Sequence, residues 1–290
     1  MGNGQRPGGR KRIPDKHEEG VPKMQKGPNF DQTHSFFSAK RIDDIVILRF
    51  NEHLLSSAAD SKGKWHLFDY LDLVSRSDEI KVVLVLGLSP ETGCKGYTRF
   101  HHEAMESECD QRVVERLYNS VNQFILNIVA LDKITVHADK GEVISLFLNV
   151  SLACNYRIVA DDTVFVNPCL KLGLVPKGGG AFFLPKILGE GRALEILLSE
   201  EEIPAWRALE LGLVDKLVPV DGLENAALET ARRFARKPGS ALAGVKRLLS
   251  YSMKDLEDFL RLENEVLLRI ERTQEFKKRL REEYAKTGGS

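Results

Sequence analysis

Residues 82–86 read Val-Val-Leu-Val-Leu, an apolar run unbroken by any polar position. A strand with one solvated face alternates apolar and polar side chains. A continuous run of this length suits instead a strand buried on both faces, as in a parallel sheet covered by helices. Residues 134–138 (Ile-Thr-Val-His-Ala) and 156–159 read as further strands of this kind. Between them the period changes: Val113, Leu117, Val121, Phe124 and Ile128 fall on one side of a helix predicted over 112–128, and 142–153 reads as another. Buried strands alternating with helices require right-handed crossovers and give an α/β fold.

Upstream, 35–40 and 45–50 are rich in strand formers and are joined by Arg41-Ile-Asp-Asp44, a hairpin signal. Trp65, Phe68, Leu71 and Leu73 predict a helix over 64–76. After Gly173 helices are predicted over 193–198, 205–211, 223–235, 240–249 and 254–284, separated by Gly189, Gly212, Pro238 and Gly239. Only 214–218 reads as a strand there. The stripe Leu256, Phe259, Leu260, Leu267 and Ile270 on the last helix is a face for packing on a neighbouring subunit.

Charge narrows the function classes. The 42 Lys and Arg balance 42 Asp and Glu, which gives no reason to expect nucleic acid as a partner or a general attraction to anionic lipid. No apolar run approaches the roughly 18–20 residues that span a bilayer, and the opening residues lack the apolar stretch of a signal peptide, so no membrane span and a cytoplasmic location are expected. Residues 1–29 are rich in Gly and Pro, carry seven basic against three acidic side chains, and show no apolar period. Such a segment cannot bury enough surface to offset its ordering entropy. The expected plan is a disordered basic tail over 1–34, a core over 35–220 and a helical region over 221–290. Cys94, Cys109, Cys154 and Cys169 are widely spaced with no C-x-x-C pair, so reduced thiols and no metal site are expected.

The segment Lys171-Leu-Gly-Leu-Val-Pro-Lys-Gly-Gly-Gly-Ala-Phe-Phe-Leu-Pro-Lys-Ile-Leu-Gly189 resembles the crotonase (enoyl-CoA hydratase/isomerase) superfamily pattern G-L-x-P-x-x-G-G-x-x-x-L-P-x-x-x-G. Arg192-Ala-Leu-Glu-Ile-Leu-Leu198, Ala208-Leu-Glu-Leu-Gly-Leu-Val-Asp-Lys-Leu-Val-Pro219 and Ala153-Cys-Asn-Tyr-Arg-Ile158 resemble the family's flanking motifs. The resemblance implies a crotonase-like ββα spiral with a helical C-terminal region that builds trimers in relatives, hence a homo-oligomer, a trimer or a dimer of trimers. It also implies an acyl-CoA or acyl-carrier thioester as ligand. Coenzyme A would enter only as part of that substrate, with no separate cofactor. The triplet Gly178-Gly179-Gly180 lacks the frame of a phosphate loop and is read as the family's turn ahead of a helix.

In the family the thioester carbonyl sits between two backbone N–H groups that stabilise an enolate, and losing one such donor in other enzymes costs about 100–1000-fold. The resemblance puts the first donor in a loop over 87–99, where Gly96 fits the family glycine and Tyr97 replaces a small residue, its N–H expected to point inward. It puts Ser145, Leu146 and Phe147 where the family has three glycines, with Leu146 at the second donor. Asn149 and Cys169 fall where the hydratases carry two glutamates. Asn cannot exchange a proton near neutral pH and an unperturbed Cys is a poor substitute for a carboxylate, so hydration by the two-glutamate route is not expected. Lys95, Tyr97 and His101 could supply other acid or base chemistry, although the pair His101-His102 also reads as exposed at a helix start. Lys277, Lys278, Arg279 and Arg281 read either as partners for CoA phosphates or as a solvated charged face. Two functions stay open: an altered-site thioester enzyme acting through an enolate, such as a decarboxylase or isomerase, and a non-catalytic assembly subunit.

Overall fold

A computed structural model describes residues 1–4, 28–51, 53–59, 63–87, 93–107 and 112–287. Most of the expected basic tail, 5–27, lies outside the described residues. Its end belongs to the fold: the Phe30 ring is buried and its carbonyl accepts a hydrogen bond from the Tyr70 hydroxyl at 2.9 Å. Strand β1 (Gln32–Thr33) then pairs antiparallel with β2 (Phe37–Ile42), so ordered structure starts before residue 35.

β2 and β3 (Ile45–Phe50) form the predicted hairpin, whose turn places Asp43 at φ 54°, a left-handed conformation that Asp tolerates better than most residues. Helices α1 (Leu54–Ala59) and α2 (Gly63–Ser75) follow, and β4 (Val82–Leu86) pairs parallel with β3, all five of its residues buried. After α3 (Cys94–Glu106) and α4 (Val113–Ala130) the chain enters β5 (Ile134–Asp139), parallel to β4.

The helix expected over 142–153 begins late. Residues Glu142–Ile144 are strand β6, and helix α5 spans Ser145–Ser151. Gly141 at φ 67° turns the chain, and the β-branched Val143 and Ile144 pair with β8 (Val164–Val166), which follows β7 (Tyr156–Ala160). Then come α6 (Gly180–Leu188), α7 (Glu190–Leu197), β9 (Ile203–Pro204), α8 (Ala205–Glu210) and β10 (Lys216–Val218). Helices α9 (Leu223–Ala235) and α10 (Gly239–Ser250) agree closely with the predicted ranges. The single helix predicted over 254–284 is two, α11 (Leu256–Glu271) and α12 (Gln274–Lys286). The break is a cap: Thr273 is extended and its Oγ1 accepts from the Phe276 N–H at 3.2 Å.

The main sheet has the order β1-β2-β3-β4-β5-β7-β10, parallel from β3 onward, and β6-β8-β9 form a small second sheet. One face of the main sheet, including Val82, Leu84, Ile134, Val136 and Ala138, packs on Leu223, Ala227 and Ala231 of α9. The other face carries α1, α2, α4 and α5. Among the described residues no helix is long and apolar enough to cross a membrane.

Candidate functional site

The site expected from the motifs lies where β4 and β5 end. Gly87 closes β4 with its N–H on the Ala138 carbonyl at 2.6 Å, and a Cβ there would fall 1.8 Å from Asp139 Oδ1, so only glycine fits between the two strands. Beyond it, the predicted loop is a helix from Cys94 onward, and Lys95, Gly96 and Tyr97 occupy its first turn. Glu142 Oε1 accepts the Cys94 N–H at 2.7 Å, a carboxylate placed at a helix N-terminus where the dipole favours it.

This helix overturns three local expectations. The Tyr97 N–H does not point inward to a ligand: it donates to the Gly93 carbonyl at 3.0 Å. Lys95 is exposed rather than gathered with the other site residues. His101, expected at the surface of a helix start, sits in the middle of α3 at 2% exposure, its ring edge-on to Tyr97 with centroids 4.6 Å apart. Burial holds the His101 imidazole down to about 3, so it is neutral near pH 7. Its Nδ1 lies 3.6 Å from Glu271 Oε1, and its Nε2 is buried with no hydrogen-bond partner among the described residues. His102 instead stacks on Tyr284 of α12 at 3.7 Å.

Asn149 and Cys169 approach the same interior from α5 and from the turn that precedes α6. Both are buried, at 2% and 0% exposure. Asn149 Nδ2 donates to the Lys177 carbonyl at 2.9 Å, which fixes the amide. Cys169 Sγ lies between Ser145 Oγ at 3.7 Å and the Tyr97 hydroxyl at 3.9 Å, and burial pushes its thiol up, away from the nucleophilic thiolate. Leu146 stands in the first turn of α5, where helix geometry leaves N–H groups without an intrahelical partner, and it too is buried, at 2% exposure. It lines an apolar cavity of about 80 Å³ together with Phe147 and Val150.

The glycine triplet is explained by these neighbours. A Cβ on Gly180 would lie 2.5–2.7 Å from the Asn149 amide atoms. Gly180→Ala is therefore expected to lose about 1–3 kcal/mol by overpacking. Urea denaturation should show most of that loss recovered when Asn149→Ala is added, and equal losses in both backgrounds would reject the clash as its cause.

Sequence reasoning missed a buried ion pair beside this site. Lys177 Nζ, 0% exposed, is 2.6 Å from Glu263 Oε2 of α11 and also donates to Asn122 Oδ1 of α4. The Glu263 carboxylate accepts the N–H groups of Gly178 and Gly179 at 3.2 and 2.9 Å. Burial draws the Lys177 ammonium down while Glu263 opposes it. Next to it the Tyr118 hydroxyl donates to Glu271 Oε1 at 2.5 Å, and burial pushes the Glu271 carboxyl up to about 7. The basic residues of the last helix are largely matched on the surface: Lys278 with Glu282, Arg279 with Glu275, and Arg281 with Glu106. Among the described residues no cluster of three or more His, Cys, Asp or Glu could hold a metal ion.

Comparison with known proteins gives a consistent result. The family model described as enoyl-CoA hydratase/isomerase matches residues 56–287. The chain is 27% identical over 243 residues to YhaR of Bacillus subtilis (strain 168), named as a candidate enoyl-CoA hydratase/isomerase, covering 83% of this chain and 91% of YhaR. It is 24% identical over 212 residues to a trans-2-decenoyl-[acyl-carrier-protein] isomerase of Streptococcus mutans, covering 73% of this chain and 80% of that one. The crystal structure of an enoyl-CoA hydratase from Bacillus halodurans superposes with a TM-score of 0.70 at 20% identity, covering 86% of this chain and all of that one, a likeness of fold.

Proposed function

The chain belongs to the enoyl-CoA hydratase/isomerase family, and from that premise we propose that it is a member that does not hydrate enoyl thioesters and works as an assembling subunit. One observation carries the reading. At the two positions resembling the family's glutamates stand Asn149 and Cys169, neither of them a carboxylate, both buried and both engaged with the protein itself. Hydration needs a group to activate water and a group to deliver a proton, each near its working pKa. A fixed amide and a thiol pushed up by burial supply neither.

Packing and backbone hydrogen bonding support the same reading. The Tyr97 N–H is already taken by Gly93, and no polar side chain of the Tyr97–Cys169–His101 group is more than 2% exposed. The assembling role draws on the opposite kind of surface: Leu248, Leu249 and Tyr251, at the end of α10 and just beyond it, are 79%, 66% and 80% exposed. Large apolar side chains this bare are suited to coverage by another subunit. A homo-oligomer, trimeric or a dimer of trimers, is the assembly we propose for the family fold in this chain.

The test is a hydration assay of the purified full chain on crotonyl-CoA, with light scattering to give the oligomer mass. The expected outcome is an oligomer whose turnover equals the buffer background. Turnover above background that is lost in Cys169→Ala or Asn149→Ala would overturn the reading, as would a monomer.

A further inference from the structure

On β5 the side chains alternate, so that Ile134, Val136 and Ala138 meet α9 while Thr135, His137 and Asp139 lie on the opposite face. That placement brings His137 into the wall of the 80 Å³ cavity lined by α1, α2, α4 and α5. Among the described residues the walls are otherwise apolar, including Phe50, Leu54, Phe68 and Phe124, with Ser120 the one further polar residue. Ser120 is already committed, since its hydroxyl bonds to the Ala58 and Arg116 carbonyls at 2.7 and 2.8 Å.

His137 has capacity left. Its Nδ1 lies 3.2 Å from Asp139 Oδ2, and the two residues are 7% and 3% exposed. Among the described residues no hydrogen bond occupies the other ring nitrogen, Nε2, and an imidazole nitrogen can meet a hydroxyl group. Asp139 is itself held close by the absence of a side chain at Gly87. The result is one polar ring in the wall of an otherwise apolar cavity, the mix of apolar lining and few polar groups that small-molecule sites use.

We propose that this chamber binds a short, neutral, aliphatic molecule with a terminal hydroxyl, its chain against the aromatic and aliphatic wall and its O–H donated to His137 Nε2. The volume sets the length: it is smaller than the roughly 150 Å³ cavity that accepts benzene, so a chain of about three or four carbons fits. The walls set the charge, because an anionic head would be desolvated against apolar side chains beside an existing carboxylate. The ring nitrogen sets the head group, because a donor-free ligand would leave Nε2 unmet. This site goes beyond the reading above and does not depend on whether thioesters are hydrated.

The experiment titrates the intact protein, ¹⁵N-labelled in histidine, with butan-1-ol, 1-fluorobutane and butanoate, and follows the ring nitrogens by NMR, with His137→Leu assigning the signal. Butan-1-ol is expected to shift the His137 Nε2 resonance saturably and to bind about tenfold more tightly than 1-fluorobutane, the effect of one hydrogen bond. His137→Leu should abolish that preference. Val150→Phe, which fills the cavity and leaves His137 in place, should abolish saturable binding altogether. The proposal is overturned if the His137 signal does not respond to butan-1-ol, if alcohol and fluoride bind equally, if butanoate binds best, or if either variant binds like the parent.

Discussion

Lys177→Met should lower the unfolding free energy by about 3–5 kcal/mol, the usual consequence of stripping one partner from a buried ion pair. The ammonium is fully enclosed, and the carboxylate it leaves behind, Glu263, is 6% exposed. Glu263 would keep the Gly178 and Gly179 N–H groups as partners, but the Asn122 carbonyl oxygen that now accepts from Lys177 would be left in the same interior with no donor. Adding Glu263→Gln removes the stranded charge, and its amide oxygen keeps one of the two glycine N–H bonds, now split between Oε1 and Oε2, so the double variant should recover part of the loss. Urea denaturation of the parent, both single variants and the double variant closes the cycle. A single-variant loss below about 1 kcal/mol, or a double variant no better than Lys177→Met, would reject the pair as the source of stability.

Glu271→Gln should change how stability depends on pH. In the folded chain burial raises the Glu271 carboxyl from an ordinary value of 4.5 to about 7, so the folded state binds this proton more tightly than the unfolded state. The contribution is therefore complete below about 4.5 and is lost as pH rises through about 7. A gap of this size corresponds to about 3 kcal/mol between the two ends of that window. The Gln variant has no proton to lose, so relative to the parent it should gain about that much between pH 4.5 and pH 8. His101 works in the other direction: its imidazole is held down to about 3 from 6.5, so its contribution is present above 6.5 and lost as pH falls toward 3. Denaturation midpoints across pH 4 to 8 should thus show the parent weakened on both sides and the variant weakened only in acid; identical profiles would refute the assignment to Glu271.

Much of the architecture was legible in the chain because it rests on local periodicity. The unbroken run at 82–86 and the i, i+4 stripe of 223–235 each report on one element's own faces, and both elements formed with the expected ranges. The helix at α3 was missed because the resemblance assigned 87–99 to a loop; its buried face includes His101, a residue that sequence reasoning counts as polar. The identities of Asn149 and Cys169 were plain, but their partners were not. The carbonyl that fixes Asn149 lies 28 residues away, and the hydroxyl beside Cys169 lies 72 residues away. Lys177 and Glu263, 86 residues apart, show the same limit: a charge within a glycine-rich motif and a charge on a polar helix announce burial only once α11 packs over the turn. His137 looked like one residue in a buried strand, and its significance comes from the cavity that four helices leave in front of it.

The cap at Thr273 sends α12 back over α3, where Phe276 meets the His101 ring, Tyr284 covers His102 and Arg281 reaches Glu106. The carboxyl end of the chain is thereby part of the wall around its own interior. A cut at that cap would take Phe276 from one side of the His101 ring and Tyr284 from His102. In this molecule the buried setting of the His101 ring depends in part on the last thirteen-residue helix staying in its seat.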